Sequence, residues 1–74
     1  MKYCVTIIQP DDNACSAYLY SKKSEAKARF HHEMEYANNA NVTTVCFVTD
    51  SNGGYVCSDK YTAVPADAQD GENE

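Results

Sequence analysis

The 74-residue chain predicts an α+β domain of ββαββ order, two β-hairpins joined by one helix on a four-stranded antiparallel sheet. Three observations carry that prediction. Two runs alternate at period two on either side of Pro10-Asp11-Asp12-Asn13. Two more flank Ser51-Asn52-Gly53-Gly54. Between the pairs lies a stretch whose apolar residues recur at helical spacing.

The first strand is read over residues 2–9, KYCVTIIQ, with Tyr3, Val5 and Ile7 on one face and Cys4, Thr6 and Ile8 on the other. Proline fixes φ at the turn, and the Asx residues after it tolerate left-handed backbone. The return strand is read over 14–21, with Cys15, Ala17 and Leu19 toward the core and Ser16, Tyr18 and Tyr20 on the opposite face. Ser21 or Ser24 can cap a helix that runs to the Asn38-Asn39 pair. With Phe30 at the origin and 100° per residue, Ala26, Met34 and Ala37 fall within about 40° of it. Half of that stripe is alanine, so the helix is expected close against the sheet. Residues 43–50 form a third strand. Asn52-Gly53 is a strong hairpin signal, and a fourth strand follows over 55–62.

Composition limits what this domain can do alone. Leu, Ile, Val and Phe together number eleven, against nine Ala and six Tyr. A core this small rarely supplies more than ~3–5 kcal/mol. One helix covers one sheet face, so the other must meet water or a second copy. The Tyr18/Tyr20 face and the spare face of the first strand point to a homodimer or higher homo-oligomer.

The formal charge of −5 is unevenly spread. Residues 1–62, read as the single domain, hold six basic and seven acidic side chains. Residues 63–74, AVPADAQDGENE, hold Asp67, Asp70, Glu72 and Glu74 with no base, and are expected to form an acidic disordered tail. Long nucleic acid is excluded as a partner because its phosphates need many clustered cations. No run approaches the ~20 apolar residues of a membrane span. The start of the chain lacks the pattern of a secretory signal, so a cytoplasmic protein is expected.

Cys4, Cys15, Cys46 and Cys57 lie too far apart for paired zinc ligands, and each falls in a strand, where a thiol packs as a small hydrophobe. No nucleophile elbow or phosphate-binding glycine loop is present, and Glu33 and Glu35 diverge on the helix. No enzyme, cofactor or metal site is expected. Two features suggest ligand binding instead. Lys22, Lys23, Lys27 and Arg29 crowd the first half of the helix, against the macrodipole, where an anion could be received. His31, His32 and Tyr36 follow, suited to contact a base or ribose, and Tyr18, Tyr20 and Tyr36 offer aromatic faces on which a base can stack.

The stretch Phe30-His31-His32-Glu33-Met34, with Ala37-Asn38-Asn39, Val45-Cys46 and Asp50-x-x-Gly53-Gly54, resembles small uncharacterised proteins encoded in prophages and mobile elements of Firmicutes. The likeness covers residues 3–61. It implies a non-catalytic phage-type protein that counters bacterial immunity, and it carries over no catalytic residue. Sequestration of a nucleotide-type signal by an oligomer is the leading expectation, with Lys22, Lys23, Lys27 and Arg29 on phosphate and His31, His32 and Tyr36 on the base or ribose. Alternatives are an anti-CRISPR-like inhibitor of a host defence protein, acting through an acidic surface or tail, and a structural phage component.

Overall fold

The computed structural model describes residues 1–65. Its elements are β1 (Tyr3–Gln9), a 3-10 turn (Pro10–Asp12), β2 (Ala14–Tyr20), α1 (Lys23–Ala40), β3 (Thr44–Asp50) and β4 (Tyr55–Tyr61). The strands form one antiparallel sheet in the order β2-β1-β3-β4. β2 and β3 pair with opposite edges of β1 and so run parallel to each other. Such a pair needs a long crossover, and α1 supplies it. The ββαββ prediction therefore holds, with both hairpins in one sheet.

The core lies between α1 and one sheet face. Val5, Ile7, Cys46 and Val48 rise from the two central strands, in the register Val5↔Val48 and Ile7↔Cys46, to meet Ala26 and Phe30. Met34 is half-buried against this cluster and Ala37 is fully buried, so the predicted stripe is the one that packs. Alanine at two of its four positions lets the helix backbone approach the sheet. Thr44 is also fully buried, and its hydroxyl donates to the Val42 carbonyl at 3.0 Å, which satisfies it.

Of the two β1 faces read from the sequence, Tyr3, Val5 and Ile7 is the one that meets the helix. β2 is reversed relative to its sequence reading. Its partners are Tyr3↔Tyr20, Val5↔Tyr18 and Ile7↔Ser16, and cross-strand partners share a face. Ser16, Tyr18 and Tyr20 thus lie on the helix side, with Tyr20 packed on the core, while Cys15, Ala17 and Leu19 lie on the open side. Leu19 is 66% exposed. A tyrosine ring on the edge strand can reach inward over the flank of the helix while its hydroxyl stays wet. Leucine has no such use for that position.

The helix ends also differ from expectation. Its N-cap is Lys22, extended at φ −121° and ψ 137°, with no side-chain cap. The Ser21 hydroxyl is engaged by the Lys2 ammonium at 2.8 Å, and Ser24 already lies inside the helix. At the other end the chain turns at Asn41, in left-handed backbone at φ 56°, rather than at Asn38-Asn39. Both hairpin turns follow their sequence signals. Asn13 adopts φ 52° after Pro10, and Gly53 adopts φ 85°. The Asp50 carboxylate ties the second turn by accepting from the Asn52 and Gly54 amides at 2.9 and 2.8 Å. A Cβ on Gly54 would fall 2.6 Å from Asp50 Oδ2, which explains glycine there.

Ala63 and Val64, assigned to the tail by composition, are bonded to the domain. The Ala63 amide donates to Thr43 Oγ1 at 2.9 Å, and the Asn41 side chain pairs with both the amide and the carbonyl of Val64. The remaining acidic stretch, 66–74, lies outside the described residues.

All four cysteines are free thiols, but they are not equally buried. Cys46 is in the core, Cys4 and Cys57 are half-buried, and Cys15 is exposed because β2 turns it to the open face. Burial pushes the Cys46 thiol from 9.0 up to about 11, with Glu33 and Cys57 nearby adding to the effect. At pH 8 only roughly a thousandth of such a thiol is thiolate, and packing blocks access to it. Iodoacetamide labelling followed by mass spectrometry is expected to modify Cys15 readily and Cys46 only at the rate of unfolding. Equal labelling of both would contradict this burial. The raised value also means that the folded state keeps a proton that the unfolded state loses. This contribution to stability is complete below pH 9.0 and declines as pH rises toward about 11.

Candidate functional site

The seven residues singled out by sequence do not converge on one point. Lys22 stands at the N-cap and Lys23 opens the helix, both exposed. At 100° per residue, Arg29, His32 and Tyr36 lie within about 60° of one another. Lys27 and His31 lie about 160° from Arg29 on the opposite flank. The basic cluster and the histidine pair are therefore each divided by the helix. His31 meets the edge of the Phe30 ring, centroids 5.3 Å apart at 67°, and so extends the core outward.

Arg29 identifies where its flank looks. Its guanidinium carbon sits 4.0 Å from the centroid of the Tyr18 ring on β2. Arg29 Nε also lies 2.7 Å from Glu33 Oε2, one helical turn on. Burial acts against the guanidinium charge, but attraction to Glu33, Tyr20 and Tyr18 outweighs it and holds the pKa above its ordinary value. The side chain is thus a fixed cation on an aromatic platform. Tyr18, 39% exposed, keeps ring surface in solvent beside it, and Tyr36, 53% exposed, lies about 10 Å farther along the helix on the same flank. His32 is exposed on the same flank.

The sequence offers Tyr18 as a stacking face, but spacing alone pairs only i,i+4 neighbours on the helix; the register of β2 is what brings Tyr18 to the helix side and under Arg29.

A second surface is the sheet face away from α1. The register brings Thr6, Ala17, Phe47 and Ser58 into one row and Ile8, Cys15, Val45 and Lys60 into the next. Leu19 and Tyr55, 66% and 71% exposed, lie toward one end, and Tyr55 Oη approaches Ser58 Oγ at 3.4 Å. Lys60 is the one charged side chain in these rows.

Among the described residues no cavity forms within a single copy, and no three His, Cys, Asp or Glu side chains are grouped to hold a metal ion. No helix among them is long and apolar enough to cross a membrane. No protein-family profile, curated protein or solved structure matches the chain.

Proposed function

We propose that this chain is a small non-catalytic phage-type protein that acts inside the bacterial cell against immunity, by sequestering a nucleotide-type signal in an oligomer. The observation that supports this reading most is the Arg29–Tyr18 stack with His32 and Tyr36 on the same flank. An aromatic platform next to a fixed guanidinium suits a ligand with both a flat ring and a phosphate. The cationic contribution narrows to Arg29, with Lys22 and Lys23 at the helix start and Lys27 and His31 facing away. The described residues of one copy enclose no cavity, and this reading places the ligand between copies.

Calorimetry with cyclic and linear nucleotides tests the reading. Binding is expected for at least one class, with Arg29→Ala and Tyr36→Ala each weakening it about tenfold or more and Lys27→Ala leaving it nearly unchanged. No heat from any nucleotide up to millimolar concentration would overturn it.

The open sheet face favours a second reading, inhibition of a host defence protein through direct contact. Exposed Leu19 and Tyr55 and half-buried Phe47 give this face an apolar surface, and Tyr55 is of the residue type that anchors such contacts. The tail version of this reading is tested by removing residues 66–74 and leaving Val64 on its anchor. Loss of host-protein binding on that truncation supports the tail; loss on Phe47→Glu supports the face.

A further inference from the structure

We infer that β2 is a self-pairing edge: two copies join β2 to β2 antiparallel about a two-fold axis at Ala17, making one eight-stranded sheet. The inference rests on the two edges of the sheet and stands apart from the identity of any ligand.

The edges are treated differently by the sequence. β4 carries Asp59 and Lys60, and its pairing with β3 shifts register between Val48 and Thr49. Charges and a bulge are what discourage a further strand from adding. β2, Ala-Cys-Ser-Ala-Tyr-Leu-Tyr, has neither a charge nor a proline, and its seven residues pair with β1 without a shift. A straight, uncharged strand with unpaired outward amides and carbonyls is a template for another strand, and here the strand that fits is its own copy.

The fit lies in side-chain size. Centring the pairing on Ala17 sets Ser16 opposite Tyr18, Cys15 opposite Leu19 and Ala14 opposite Tyr20 of the second copy. Every large side chain meets a small one, and only alanine meets itself, on the axis. Small residues fill the first half of β2 and large ones the second, so antiparallel pairing alone achieves this match.

The joined sheet also creates what one copy lacks. α1 packs chiefly on β3 and β1 and leaves β2 less covered. With strands about 4.8 Å apart, each helix axis stands about 10 Å from the seam. Two helices about 11 Å across then leave a groove roughly 9 Å wide over the paired β2 strands. Its floor holds Ser16 and Tyr18 of both copies, and its walls present Arg29 and Tyr36, while His32, about 160° from the packed stripe, stays on the outer surface of the helix. That width admits a flat ring and excludes a helix.

Sedimentation velocity across a concentration series tests the pairing on the full chain. A species of twice 8.2 kDa is expected. Ala17→Glu places like charges face to face on the axis and is expected to raise the dimer midpoint concentration about tenfold or more, with an unchanged far-ultraviolet spectrum. Ser58→Glu, on the open face of β4, is expected to leave the dimer intact. A monomer at every concentration, or a dimer lost with Ser58→Glu and kept with Ala17→Glu, overturns the inference. Hydrogen exchange on the unaltered chain does not depend on any variant folding: amides of 14–20 should gain protection as concentration rises, and their failure to do so also overturns it. A dimer that meets these tests yet binds no nucleotide would sink only the ligand reading above.

Discussion

Phe30→Ala is expected to leave the chain largely unfolded at 25 °C, with loss of the cooperative urea transition. Phe30 is the largest side chain of the buried cluster, 6% exposed, and it contacts the layer formed by Val5, Ile7, Cys46 and Val48. Truncating a buried Phe to Ala costs about 3–5 kcal/mol, because the cavity adds to the lost transfer energy. A domain of this size has a comparable total from its core, so little stability is left. The surroundings cannot collapse to fill the space, since the flanking helix residue Ala26 is already in close contact and the strand positions are fixed by register. Phe30→Leu keeps most of the volume and should lower stability by only about 1 kcal/mol. Leu19→Ala, on the open face, should barely change the stability of an isolated copy, although Leu19 is the only leucine in the chain. A Phe30→Ala variant with an unshifted urea midpoint would mean that the core is held elsewhere.

The contrast between Phe30 and Leu19 shows what could be read from the chain. Helix and strands were legible because their periods are carried by several residues each: Ala26, Phe30, Met34 and Ala37 agree on one direction, as do Tyr3, Val5 and Ile7. The turns were legible because Pro10-Asp11-Asp12-Asn13 and Asn52-Gly53 require special backbone, and Asn13 and Gly53 adopt it. The orientation of β2 was not legible. Both of its faces begin with small residues, so its direction rests on one leucine against two tyrosines, and hydrophobic rank favours the leucine. The pairing with β1 decides otherwise, and a one-residue error in facing inverts every side chain of a strand.

The candidate site suffered from that inversion. Arg29, His32 and Tyr36 are legible on the helix, but the side of the sheet that carries Tyr18 is set by pairing with β1 and not by the pattern of β2. The cluster of four cations looked like one site because neighbours in sequence were counted together. A helix turns successive residues by 100°, so Lys27 and Arg29 face nearly opposite ways.

Asn41 is where the second large effect is expected, and its variants separate two contributions. The residue ends α1 in left-handed backbone, with its amide donating to the Ala37 carbonyl. Its side chain then makes three further bonds: Nδ2 donates to the Val64 carbonyl at 2.8 Å, while Oδ1 accepts from the Val64 amide at 2.8 Å and from the Tyr61 hydroxyl at 2.7 Å. One amide group thus behaves as a short piece of strand that pins the chain beyond β4 against the end of the helix. Asn41→Gly keeps the backbone conformation at no steric cost and removes the three bonds, so a loss of about 1–3 kcal/mol is expected. Asn41→Ala removes the same bonds and also pays for left-handed backbone, a further ~1 kcal/mol. Tyr61→Phe deletes one bond and leaves the Val64 pair, for about 1 kcal/mol. In the Asn41→Gly background, Tyr61→Phe should cost almost nothing, because its partner is already absent. Urea denaturation of the four variants measures the series, and exchange of the Val64 amide reports the anchor directly. If glycine and alanine at position 41 were equally stable, the left-handed turn would carry no cost. If the two losses at 41 and 61 simply added, the Tyr61–Asn41 bond would contribute nothing to the fold.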